Sequence, residues 1–217
     1  IAMPLRIYLL IKSSKIKSSK KNIPALHHNS SSCNFVSKNH LLQKYCIPEQ
    51  KSFLAKEVVC YNYKKGDIIF RENSPSFSIF FVYSGIISLW KENIYSKKQY
   101  VRFVKEGGLF GFRGSAMENT TYFLSAGAFE ATVICHIPKD AFAQVLKKNP
   151  ELNFNILLTY VRELEKIETA FCYQASMNAR EKVAEALLTI QDLFGGNENS
   201  ALFNKRISRR DLADIAG

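Results

Sequence analysis

The change of period at Pro138 constrains this chain more than any other feature. Before it, from about Lys56 to Ile137, short runs rich in Val, Ile, Phe and Tyr alternate with Gly, Asn, Ser and Lys. β-branched and aromatic runs between turn formers are strands, because such side chains pack well on a pleated, half-buried surface. Strands are expected at 57–63, 67–71, 77–83, 86–91, 99–104 and 121–137. Many short strands at this spacing form a sandwich or barrel. Gly66 and Gly85 fit turns, and Gly107, Gly108 and Gly111 mark a place where backbone bends or approaches a ligand.

After Pro138 the period is helical, with a short helix over 138–148. Pro150 suits the first turn of the next helix, where its missing N–H costs nothing. Along that helix Leu157, Tyr160, Leu164, Ile167 and Phe171 recur in steps of three and four, flanked by Arg162, Glu163, Glu165, Lys166 and Glu168. Such a narrow seam between charged flanks suits packing on a partner helix, here a second copy. Packing of the same stripe on the chain's own strands is the other reading. A further helix over 179–194 closes at Gly195-Gly196.

The segment from Ile207 to Gly217 carries the most information about function. Ser208 followed three residues later by Asp211 has the form of a capping box with Asp in place of Glu, and Ile207 and Leu212 stand where a hydrophobic staple would. Ala213 and Gly217, four apart, match the needs of a helix-turn-helix: a small side chain where the second helix packs, then a residue tolerant of positive φ. The second, recognition helix is expected beyond Gly217. Lys205, Arg206, Ser208, Arg209 and Arg210 are the candidate DNA contacts, through charge and the amides of the helix start. A solvated basic helix end is the plainer account of them.

Charge alone adds little. The net charge is +11, yet eight of the basic residues, with no Asp or Glu, fall within the first 44, leaving about +3 for the rest. Residues 1–44 have Lys/Ser repeats and no sustained period, and are expected to be a basic disordered tail; a nucleic-acid or membrane arm is the sharper alternative. The apolar run Ile7 to Ile11 is far short of the roughly 20 residues of a membrane span, so a cytoplasmic protein with no membrane partner is expected. Five widely spaced cysteines without a C-x-x-C pair suggest neither a disulfide framework nor a metal site, and reduced thiols are expected. No Walker loop, G-x-S-x-G or H-E-x-x-H is present, so neither catalytic residues, a cofactor nor enzyme activity is expected.

Six segments taken together, in order, resemble the Crp/Fnr family of bacterial regulators from about Lys56 to Gly217. They are Tyr63-Lys-Lys-Gly-Asp-Ile-Ile-Phe-Arg-Glu72, Phe80-Phe-Val-Tyr-Ser-Gly-Ile-Ile-Ser-Leu89, Glu106-Gly-Gly-Leu-Phe-Gly111, Ile137-Pro-Lys-Asp-Ala-Phe142, Arg180-Glu-Lys-Val-Ala-Glu-Ala-Leu-Leu188 and Ile207-Ser-Arg-Arg-Asp-Leu-Ala213. The resemblance implies an α+β architecture. A double-stranded β-helix (jelly-roll, cyclic-nucleotide-binding-like) domain over 45–148 precedes a dimerisation helix over 149–176. The first part of a winged helix-turn-helix follows over 177–217, after a hinge near Met177-Asn178. It further implies a homodimer that binds double-stranded DNA and responds to an unknown small-molecule effector or to none. A ligand-binding regulatory module acting through protein contacts, without DNA, is the alternative.

The effector pocket implied by the resemblance has Gly108, Leu109, Phe110, Gly111, Phe112, Tyr122, Phe123 and Leu124 as candidate lining residues, though these aromatics also suit a plain core. Cyclic-nucleotide-binding members hold the ribose with an acidic residue and the phosphate with an arginine. An ungapped count back from Ile137 puts Gly108 and Tyr122 at those two places, so no response to cyclic AMP is expected. An iron–sulfur cluster normally wants four thiolates, and only Cys33, Cys46 and Cys60 stand near the start of the roll.

Overall fold

A computed structural model describes residues 35–93, 97–112, 121–194 and 207–217. Three short helices come first: α1 (Phe35–Lys38), α2 (His40–Tyr45) and α3 (Pro48–Glu57). Eight strands follow: β1 (Val59–Tyr63), β2 (Ile68–Phe70), β3 (Ser78–Ser84), β4 (Ile86–Glu92), β5 (Lys98–Lys105), β6 (Leu109–Phe110), β7 (Ser125–Ala128) and β8 (Thr132–Pro138). Four helices complete the described chain: α4 (Lys139–Lys148), α5 (Pro150–Ser176), α6 (Ala179–Phe194) and α7 (Arg209–Ala216).

The strands form two four-stranded antiparallel sheets, ordered β1-β8-β3-β6 and β2-β7-β4-β5. Phe80, Val82, Phe110 and Ile134 from one meet Phe70, Ile87, Leu89, Val104 and Ala126 from the other, filling the roll. The opposite face of the first sheet is also apolar. Ile79 and Phe81 of β3, with Cys135 and Ile137 of β8, pack on Leu42, Leu54, Phe142, Val145, Leu152 and Ile156 from the helices. Successive strand side chains point to opposite faces; with both faces covered, β3 reads as the unbroken run Ile79-Phe80-Phe81-Val82.

Sequence and structure part company at four places. Residues 35–44, expected within the disordered tail, form α1 and α2, held by Asn39. Its side chain caps α2, accepting from the Leu42 amide at 2.8 Å, while its Nδ2 donates to the Gly107 carbonyl at 2.8 Å. These helices are short, so packing on the roll rather than local periodicity sustains them. The expected single strand over 121–137 is two strands in different sheets: β7 pairs with β2 and β4, whereas β8 pairs with β1 and β3. The two-residue β6 falls below what a period of two can reveal. Finally, Cys60 and Cys135, expected as thiols, lie opposite each other in the β1–β8 register and are bridged as a disulfide across 75 residues of sequence. Strand register set that pairing, and spacing rules do not see it. It also removes Cys60 from any thiolate set.

Gly85 (φ +88°) joins β3 to β4, where an added Cβ would meet the Ala131 carbonyl at 2.6 Å. Residues 1–34, with Cys33, and the basic pair Lys205 and Arg206 lie outside the described residues. No described helix is long and apolar enough to cross a membrane.

Candidate functional site

Helix α5 is the element on which the site turns. Asn149 caps it, its Oδ1 accepting from the Leu152 amide at 2.9 Å, and its Nδ2 donates to the Tyr45 carbonyl (2.8 Å) and to Gln50 Oε1 (2.9 Å). The first turns of α5 are thereby fixed to α2 and α3, and Leu152 and Ile156 sink into the core. Beyond Ile156 the helix leaves the core and runs along the roll.

Between α5 and the roll lies a cavity of about 540 Å³, within the size range of small-molecule sites. Phe70, Leu89, Val101, Gly111, Phe112, Tyr122, Phe123 and Leu124 line it from the roll, and Phe154, Leu157, Tyr160, Leu164 and Ile167 from α5. Five of the eight expected pocket residues are therefore present. Gly108, Leu109 and Phe110 are not in its wall. Gly108 sits in the β5–β6 turn, where an added Cβ would meet a Val104 methyl at 2.3 Å. Leu109 and Phe110 form β6, and Phe110 is buried inside the roll. The glycine followed by a cavity-lining side chain is Gly111-Phe112, whereas Gly107-Gly108 lies outside the wall. Phe112, like Gly108, bears no charge.

Tyr122 is where the resemblance would put the phosphate-binding arginine. Its ring stacks on Phe70 with centroids 3.8 Å apart, and its hydroxyl donates to the Ser78 carbonyl at 2.9 Å. Burial, only partly offset by hydrogen bonds from Ser78 and its neighbours, pushes this phenol up from its ordinary range, so it stays neutral. The charges in the cavity wall are Arg102 of β5 and Glu163 of α5, joined as an ion pair. Tyr160 stacks on Phe112 at 5.4 Å.

The seam expected on α5 divides. Tyr160 and Ile167 are half-buried toward the cavity, whereas Leu157, Leu164 and Phe171 are exposed, in line with Phe154 and Val161. The exposed apolar stripe is thus Phe154, Leu157, Val161, Leu164 and Phe171. Sequence reasoning missed Phe154 and Val161, although their steps of three and four were there to be counted.

The capping box at the start of α7 has the expected geometry. Ser208 Oγ accepts from the Asp211 amide at 3.0 Å, and Asp211 Oδ2 accepts from the Ser208 amide at 2.9 Å. Lys65 on the roll reaches the same carboxylate at 3.2 Å. Partial burial disfavours the Asp211 charge, but the Ser208 bonds and Lys65 outweigh it and hold the carboxyl below its usual range. Ser208 thus works as a cap, while Arg209 and Arg210 extend into solvent. Ala213 is exposed, and Gly217 adopts φ +85°.

Comparison with known proteins agrees with this geometry. Residues 61–149 match the cyclic nucleotide-binding domain family. The chain is 27% identical over 155 residues to the transcriptional activator protein anr of Pseudomonas aeruginosa, covering 71% of this chain and 63% of that protein. It is 28% identical over 160 residues to the nitrogen fixation regulation protein FixK of Bradyrhizobium diazoefficiens, covering 72% and 65%. The chain thus spans less than two thirds of the length of these relatives. Among solved structures, FixK2 from Bradyrhizobium japonicum superposes with a TM-score of 0.59 at 19% identity, covering 74% of this chain and 77% of its own. The c-di-GMP-responsive global regulator CLP of Xanthomonas campestris gives a TM-score of 0.65 at 16% identity, covering 79% and 85%. With a shared roll, a long helix after it and aligned regulator sequences, this chain is similar to regulators of the Crp/Fnr family and carries the cyclic nucleotide-binding fold over residues 61–149.

Proposed function

We propose that this chain supplies the sensing, dimerising and leading DNA-binding parts of a transcriptional regulator that works in the bacterial cytoplasm and catalyses no reaction. The observation that carries the reading is the α7 segment. It is a box-capped helix with Arg209 and Arg210 in solvent at its start, a small exposed Ala213, and a left-handed glycine four residues later. A left-handed glycine ends many helices, but combined with a small exposed side chain four residues earlier it matches what a helix packing under a crossing second helix needs. The names of the relatives, an activator and a regulation protein, support the same reading.

Dimerisation follows from the stripe on α5. Five large apolar side chains in one line on a single helix are the surface a second copy of that helix would cover. The cavity beside it is the effector site of this scheme. A ligand there touches both the roll and the helix, so its binding energy can bias the angle between the two dimer helices and hence the spacing of the DNA-reading helices.

The test is selection of binding sites from random duplex DNA by the regulator that carries the recognition helix expected after Gly217. Enriched sequences are expected to form a twofold palindrome with half-site centres about 10 base pairs apart, with affinity falling steeply as salt rises. Sites without dyad symmetry, or no enrichment, would overturn the proposal.

A further inference from the structure

We infer that the cavity between the roll and α5 takes an uncharged, largely apolar ring compound, and not a phosphorylated or carboxylated one; this rests on reading the cavity as the effector site. The argument begins with charge. Arg102 and Glu163 line the wall, their side chains are 17% and 31% exposed, and they are bonded to each other. The lining therefore offers no net charge to an ion. An anionic headgroup would have to take Arg102 from Glu163, stranding a partly buried carboxylate without its partner, and that loss opposes binding. A neutral ligand leaves the pair intact.

Shape points the same way. Phe112 and Tyr160, stacked between roll and helix, and Phe70 and Tyr122, stacked within the roll, put four aromatic rings in the cavity wall. Flat rings gain most from such walls, by offset stacking as well as by leaving water. The space next to Tyr122, where an ionic group would need a cation, is bounded by Phe70, Phe123 and Leu124.

The position of the lip then assigns a consequence. Leu157 and Leu164 line the cavity and also belong to the exposed stripe of α5. A bound apolar compound would extend that stripe sideways and present more apolar area to a second copy. Occupancy and dimerisation should therefore strengthen each other.

Two fluorescent probes that share a ring skeleton separate the outcomes: phenylnaphthylamine, which is neutral, and anilinonaphthalenesulfonate, which carries a sulfonate. Trp90, the one tryptophan of the chain, lies beside the lining residue Leu89 and serves as the energy donor. The whole chain is titrated with each probe. The expected result is saturable quenching of Trp90 by one phenylnaphthylamine per chain, with affinity at least about tenfold above that of the sulfonate, a difference of about 1.4 kcal/mol. Leu124→Phe, which fills the cavity floor, should weaken the neutral probe several-fold. Leu157→Arg, a change at the exposed lip that does not threaten folding, should weaken the neutral probe and strengthen the sulfonate. Equal or tighter binding of the sulfonate to the unmodified chain overturns the ligand class and leaves the effector site standing. Saturable binding of neither probe overturns both. Neutral-probe binding indifferent to both substitutions places the probe elsewhere and also overturns the inference.

Discussion

Strand β3 and helix α5 are both rich in large apolar side chains, yet they meet opposite fates. Ile79, Phe80, Phe81 and Val82 are at most 3% exposed, because the inside of the roll covers one face of β3 and helices cover the other. Phe154, Leu157, Val161, Leu164 and Phe171 are between 49% and 74% exposed. The difference is not one of composition. A strand inside a sandwich finds its partners within the chain, whereas the far face of a long helix that runs past its own domain has none there. Contiguous exposed apolar surface of this kind marks an interaction site. The core of this protein is therefore closed by its own residues, whereas the α5 stripe is left open, and under the proposed function a second copy covers it.

Substitutions on the two regions should separate folding from association. Leu164→Glu places two carboxylates in each dimer interface and should weaken dimerisation by on the order of 4 kcal/mol or more, about a thousandfold. Sedimentation should then show a folded monomer; an unchanged dimer would refute the stripe. Phe81→Ala in β3 should behave in the opposite way, lowering stability by about 3 to 5 kcal/mol in denaturant unfolding without relocating the interface. If it instead abolished dimerisation in a still-folded protein, the division between closed core and open stripe would be wrong.

A third probe of the closed region uses pH. His136 of β8 lies against Tyr63, whose hydroxyl is 2.9 Å from Nε2, and packs edge-on to Phe80. Burial lowers its pKa from 6.5 to about 4. The unfolded chain therefore binds the proton first. The folded state holds its full advantage above pH 6.5 and loses it progressively as pH falls toward 4, by up to about 3 kcal/mol. Melting temperature measured across this window should decline for the unmodified protein and decline less for His136→Gln; parallel curves would show that His136 is not the group responsible. The smallest expected effect is none at all. Cyclic AMP at millimolar concentration should leave the melting temperature unchanged, since Tyr122 gives the phosphate no charge. A rise of several degrees would show binding to the folded state and would require a cation elsewhere.

Most of the framework was legible in the sequence because it rests on local rules. The strands from 57 to 104, the helix 179–194 and the Ser208–Asp211 cap with its glycine four residues beyond Ala213 each follow from spacing that side-chain geometry dictates. The α1–α3 segment was hidden, since its short helices depend on Asn39 reaching Gly107 and Asn149 reaching Tyr45, contacts across 68 and 104 residues. The cavity wall was half legible. Gly111, Phe112, Tyr122, Phe123 and Leu124 line it as expected, but Gly108, Leu109 and Phe110 lie outside it, because the bend at Gly111 decides which side chains reach the cavity.

The sequence by itself determined the strands from 57 to 104, the helices after Pro138, the Ser208 cap and the absence of an arginine at Tyr122, because these depend on residue type and on neighbours a few positions away. Only the tertiary structure decided which side of α5 faces the cavity, that Cys60 meets Cys135, and that Arg102 is neutralised by Glu163. Those outcomes depend on strand register and on how a helix lies against a sheet, quantities to which every packed side chain contributes and which no single segment encodes.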